Sequence, residues 1–319
     1  MIIEIHDVWA DAAAQHEKFL RTEVAIALKN EQGFVGPLLG LESLIREKVG
    51  EFIGRNLNTI VNANTHDFTA VIRDFTATFS EDQSLLHMAK EKFKAIFNYN
   101  RFIRKSSGWG AYALCKAARY KVCPYCHLRT ISTVTRDADH AGYRPQLDHY
   151  YDKARYPFLA LSLGNLVPCC GRCNGPGMKH DKDFVSIPHL NPLRDVGVLT
   201  FDLAPTNGRA WDPAMKALRF PAEEFEVRIN APAGNQSAQN SLRTFQLRSQ
   251  YQEKLHDAYR VAKIGLSPAF ERSVAIATGL DAYGMTIADH LGFDPNGDQY
   301  KDRSAGKMIR DVYLNSRTW

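Results

Sequence analysis

The chain has 319 residues, 45% apolar and 24% charged, a composition that suits globular packing into about two domains. No stretch is long and apolar enough to span a membrane, and the start MIIEIHDVWADAAAQHEKF lacks the basic-then-apolar order of a secretory signal, so a cytoplasmic location is expected. The net charge of +5 is uneven: fourteen Lys/Arg face six Asp/Glu between Arg101 and Asp183, as a polyanion-binding site or an ordinary solvated basic face would have.

Residues 1–105 read as a helical N-terminal region. Its clearest stretch is FSEDQSLLHMAKEKFKAIFNYNRFI, where Leu85, Met88, Phe93 and Phe97 recur at roughly helical spacing. Ser80 with Gln83 three residues on predicts a capping box at its start. KSSGW breaks the pattern, and one more helix is expected over Trp109–Tyr120, with Cys115 as a small buried hydrophobe.

Residues 106–190 form the cysteine-bearing block, in which turn sequences (CPYC, DHAGYRP, NGPG) separate short apolar runs. Residues 191–319 form a mixed C-terminal region. VLTFDL and FEVRI read as strands, and a long helix follows with Leu247, Tyr251, Leu255, Ala258 and Ala262 on one stripe. Arg243, Arg248, Lys254, Arg260 and Lys263 lie off that stripe, as exposed charges or as DNA contacts. The expected fold class is therefore α+β and mainly helical.

Five of the six cysteines fall within about fifty residues, which in a reducing compartment points to metal or redox chemistry rather than disulfides. Cys123-Pro-Tyr-Cys126 and Cys170-Gly-Arg-Cys173 are two CxxC pairs, each able to turn both sulfurs toward one ion. Four soft thiolates in a closed set favour a structural Zn²⁺ over Mg²⁺ or Ca²⁺. The competing thioredoxin-like reading of CPYC is weakened by the second pair and by the lack of a surrounding βαβ pattern. Of the doublet Cys169-Cys170, Cys170 gives the two-residue spacing and is taken as the ligand.

Between the pairs, Gln146–Tyr150 can form a strand that presents Asp148 and His149, and Leu166–Pro168 a returning strand, with a helix beginning at Asn174. CPYC, then Asp148-His149, then Tyr156-Pro157 through Asn165-Leu166-Val167-Pro168, then Cys170 to Asn174, together resemble the HNH endonucleases and their ββα-metal fold. The likeness is to a bacterial branch associated with restriction and anti-phage defence; it covers Trp109–Lys182 and neither flank.

The resemblance implies that His149 is the general base and Asp148 a ligand of a catalytic Mg²⁺ or Mn²⁺. It makes Asn165 the brace of the loop between the strands and Asn174 a second ligand; Met178 stands where many relatives carry a further histidine. It implies metal-dependent hydrolysis of DNA phosphodiester bonds to a 5′-phosphate and a 3′-hydroxyl. Lys153, Arg155, Arg172, Lys179 and Lys182 surround these residues and could track a phosphate backbone. Both flanking regions are large and carry no motif, which motivates an expectation of gating through a protein partner or a homo-oligomer. The other readings are an RNase and a zinc-stabilised nucleic-acid-binding module without catalysis. Asp289-His290, a second Asp-His pair in a helical stretch, is expected to be incidental.

Overall fold

A computed structural model describes residues 1–32, 40–135, 139, 141–266 and 286–319; His140 of the expected DHAGYRP turn lies outside them. The protein is mainly helical, with two small two-stranded antiparallel sheets among the described residues.

Four helices, α1 (Ala13–Gln32), α2 (Gly40–Val61), α3 (Thr69–Phe79) and α4 (Gln83–Ile96), pack against one another as a bundle. Helix α4 shows why. Leu85, Ala89, Phe93 and Ile96 recur every three or four residues and are all buried, so one face leaves water as the helix forms. Its N-cap is Asp82 and not Ser80: the Asp82 carboxylate accepts from the Ser84 and Leu85 amides, while Ser80 closes α3. An anionic cap one residue from the first turn satisfies two orphan amides and meets the positive end of the helix dipole, which outcompetes a hydroxyl further upstream.

The expected Trp109–Tyr120 helix is shorter, Ala111–Ala117 (α6), and follows α5 (Tyr99–Arg104). Cys115 on it is buried, and burial pushes its thiol up to about 11. Next come β1 (Gln146–His149) and β2 (Leu166–Cys169), paired antiparallel with His149 opposite Leu166 and Asp148 opposite Val167. The expected helix beginning at Asn174 does not form: the one-turn helix α7 (Gly171–Asn174) ends there, because Gly175 leaves the helix in extended backbone.

The C-terminal region holds β3 (Thr200–Pro205) and β4 (Phe225–Asn230). Phe225, Val227 and Ile229 turn inward and the residues between them outward, the period of a half-buried strand. Where the sequence predicts one long helix along the Leu247–Ala262 stripe there are two, Leu247–Gln252 and Leu255–Leu266, and a third, Gln236–Thr244, forms mostly on the polar APAGNQSAQNS stretch before it. Gln246, in the left-handed region at φ 48°, makes the first break. The break lets Phe245 stack on Tyr125 at 4.5 Å and the Tyr251 hydroxyl reach the Cys126 carbonyl at 2.8 Å, so tertiary contacts override the helical pattern. Of the expected stripe, Leu247, Tyr251, Ala258 and Ala262 are buried, and Leu255 is half-buried. Asp289 is spent on a capping box with Thr286, at the start of the Ile287–Leu291 helix.

One continuous buried cluster joins residues from all three stretches of the chain. Phe158, from the β1–β2 connection, enters the aromatic group Phe52, Phe75, Phe79 and Phe93 with centroid distances as short as 4.8 Å. No described helix is long and apolar enough to cross a membrane.

Candidate metal centre and adjoining cleft

The Cys123, Cys126, Cys170 and Cys173 sulfurs all lie within 4.8 Å of one another, and the residues are buried. Tetrahedral Zn–S bonds of about 2.3 Å require sulfurs about 3.8 Å apart; the Cys126 and Cys170 sulfurs are 4.0 Å apart. The donor set and spacing fit a structural metal such as zinc. Each knuckle is closed by its own backbone, with the His127 amide donating to the Cys123 carbonyl and the Asn174 amide to the Cys170 carbonyl. Cys169 is buried but does not belong to the set: it pairs across the hairpin with Gln146. Among the described residues no other group of three or more His, Cys, Asp and Glu side chains is close enough to hold an ion.

Beside this centre lies a polar cleft of about 400 Å³ whose lining includes Tyr99, Asp148, His149, Lys153, Asn174 and Lys179. The structure thus brings three of the four sequence-predicted catalytic residues, Asp148, His149 and Asn174, to one cleft. The Nε2 of His149 lies 2.9 Å from the Ala160 carbonyl oxygen. A carbonyl only accepts, so Nε2 carries the hydrogen and Nδ1 is the lone-pair nitrogen of a neutral ring. Burial, with the Lys153 and Lys179 ammoniums adding to it, pushes His149 down to about 3, so the ring is neutral near pH 7. Tyr99 meets the imidazole edge-on at 4.5 Å and donates to the Leu147 carbonyl.

Asp148 is buried with a partner on each oxygen. The Tyr125 hydroxyl donates to Oδ2 at 2.6 Å, and the Lys179 ammonium lies 3.2 Å from Oδ1. Asn174 donates through Nδ2 to Gln146 Oε1 at 2.9 Å, which commits its nitrogen and leaves its carbonyl oxygen available.

Asn165, the fourth predicted residue, sits behind the cleft and is fully buried. It accepts from the Tyr151 amide at 2.6 Å and donates to the Tyr151 and Leu159 carbonyls at 3.0 Å each, tying both ends of the β1–β2 connection together. Gly164 before it packs against the backbone of Thr65, where any Cβ would collide with the Thr65 carbonyl. His16 holds the same connection from α1. Its Nε2–H donates to the Leu161 carbonyl at 2.8 Å while its Nδ1 accepts from the Trp109 indole at 3.1 Å.

The five cations expected to face a phosphate backbone divide. Lys153 and Arg172 are exposed, and Lys153 lines the cleft over the Tyr99 ring. Arg155 is exposed between Asp152 and Asp183. Lys182 turns back to the Met178 carbonyl. Lys179 is only 1% exposed, so it cannot follow a backbone across the surface: its side chain is committed to Asp148 and to the His149 carbonyl at 2.8 Å.

Sequence reasoning missed Tyr99, His16 and the phenol of Tyr125. Tyr125 had a signal, since it lies between two ligands and must point away from the ion. Tyr99 and His16 had none, because their helices belong to a stretch without motifs. No family model, curated protein or solved structure matches this chain.

Proposed function

We propose that the chain is a metal-dependent endonuclease of the HNH type, cutting DNA phosphodiester bonds beside a structural zinc. The observation that carries this reading is His149: a neutral imidazole, locked through Nε2 to the Ala160 carbonyl and lining a polar cleft that also holds Asp148 and Asn174. A histidine serving only to fill space has no need of an oxygen-donor pair in the same cleft.

The antiparallel hairpin beside the cysteine centre supports the ββα-metal reading, whose helix is here a single turn that carries Cys173 and ends at Asn174. Asp148 and the Asn174 carbonyl are oxygen donors of the kind Mg²⁺ or Mn²⁺ takes, and such ions keep several waters, which suits so sparse a protein set. When bound, a divalent ion offsets the charge of the scissile phosphate and of the departing oxygen. His149 takes a proton from the attacking water at Nδ1. The Ala160 carbonyl holds the ring during that transfer and favours the imidazolium that forms. Lys153 and Arg172 are free to approach the phosphate backbone, a salt-dependent and sequence-blind contribution.

Plasmid nicking by the full chain with Mg²⁺ or Mn²⁺, comparing wild type with His149→Ala, tests the proposal. Cleavage that disappears with His149 is the expected result. Nucleic-acid binding without cleavage in either metal would leave a zinc-stabilised binding module, and preferential loss of an RNA substrate would make the enzyme an RNase.

A further inference from the structure

Asp148, the one carboxylate in the proposed reactive pair, already has a cation. The Lys179 ammonium lies 3.2 Å from its Oδ1, donates to the His149 carbonyl at 2.8 Å and sits 4.8 Å from the centre of the Phe184 ring. The Lys179 amide donates to the Cys173 carbonyl at 3.1 Å, so the cysteine knuckle that presents Asn174 also fixes this side chain. A buried ammonium held on three sides is not a surface lysine that swings away when another cation arrives. The rest of the cleft does not restore negative charge. Its lining carries three cationic side chains, Arg144, Lys153 and Lys179, against three anionic ones, Asp148, Asp152 and Asp181.

A divalent ion bound through Asp148 must share that carboxylate with a fixed positive charge, and the second donor of the proposed set, Asn174, is neutral. Oxygen sites for hard divalent ions normally depend on net negative charge among their ligands. The missing charge is carried by the phosphodiester itself. We infer that Lys179 is a built-in counter-ion, which keeps the cleft's affinity for a divalent cation low until a nucleic-acid phosphate occupies it, so that ion and substrate bind together. This rests on the nuclease reading of the cleft. It adds a reason for the chain to be quiet without substrate, with no partner required.

The test measures Mn²⁺ binding by electron paramagnetic resonance to the full zinc-loaded chain, in a His149→Ala background that leaves DNA uncut. Mn²⁺ should bind weakly alone and at least about ten-fold more tightly with a DNA duplex, within the usual range for coupled ligands. Lys179→Met in that background should bind Mn²⁺ about ten-fold more tightly without DNA, and DNA should then add little. Lys179→Arg should behave like the parent, and Asp148→Asn should lose Mn²⁺ binding in every case.

Lys179→Met leaves a buried carboxylate unpaired and should be less stable. Mn²⁺ should therefore raise its Tm more than it raises that of the parent. No gain in affinity, no tightening by DNA, or a Lys179→Met chain that stays unfolded in Mn²⁺ overturns the inference. The two readings fail separately. His149-dependent nicking with Mn²⁺ affinity indifferent to Lys179 sinks only the counter-ion. Absence of nicking with every metal, together with a Lys179-dependent gain measured without DNA, sinks only the nuclease.

Discussion

The imidazole of His149 and the carbonyl of Ala160 are 2.9 Å apart although they stand eleven positions apart in the chain. That carbonyl is fixed by the β1–β2 connection, which Phe158 anchors in the aromatic group of the N-terminal helices and His16 grips through the Leu161 carbonyl. The orientation of one proposed catalytic side chain is therefore set by helices far from it in sequence.

If His149 is the base, His149→Ala should lower the nicking rate by about 10²- to 10⁴-fold, the usual contribution of a positioned proton acceptor. The variant should keep its zinc content and its far-ultraviolet circular dichroism, since the cysteine centre does not depend on the ring. Unchanged nicking would remove His149 from the mechanism.

Asn165→Ala should act by a different route. It strips the Tyr151 amide and carbonyl of their side-chain partner in a fully buried place, while the Leu159 carbonyl keeps the Ser162 amide, and a buried unpaired polar group costs about 1–3 kcal/mol. Urea unfolding should show a loss of about 2–4 kcal/mol on the same basis, and nicking should fall as the Ala160 carbonyl shifts. A variant as stable as wild type would mean that the connection is held mainly by Phe158 and His16.

Cys123→Ser should lose zinc, measured by metal content after desalting, and with it cooperative unfolding, because binding free energy at such a site is folding free energy. Cys169→Ser removes a buried sulfur outside the cluster and should keep the metal. Equal loss of zinc in both variants would contradict the assignment of Cys170 over Cys169.

The cysteine set and the hairpin were legible in the sequence because their signals are local: fixed CxxC spacing, and strand-length apolar runs between turns. Asp148, His149 and Asn174 were legible as a group because the hairpin and the knuckle bring neighbours in sequence to one cleft. Lys179 was misread, because a lysine five residues past an exposed-looking asparagine resembles surface charge until Asp148 is seen across from it. Tyr99 and His16 could not be read, since contact between separate helices and a loop leaves no periodic trace. The long helix breaks up for a related reason: the Phe245–Tyr125 stack and the Tyr251–Cys126 bond outweigh local propensity.

His16 gives the pH dependence its sign. Burial pushes this imidazole down to about 4, partly opposed by its bond to the Leu161 carbonyl, whereas the unfolded chain holds it near 6.5. Below about pH 6.5 the unfolded state takes up a proton that the folded state refuses until about pH 4. The contribution to stability is therefore complete above the unfolded value and is lost as pH falls between the two. The slope approaches about 1.4 kcal/mol per pH unit for one proton. His149 and His189 are lowered in the same direction by burial and add to the wild-type slope, as does protonation of the cysteine thiolates on loss of zinc. The contribution of His16 is isolated by difference. Gln at this position retains a donor and an acceptor but does not titrate, so the stability gap between wild type and His16→Gln should narrow steadily in urea titrations from pH 6.5 down to pH 4.5. A gap independent of pH would mean that His16 is protonated in the folded chain, with the Trp109 indole no longer donating to its Nδ1.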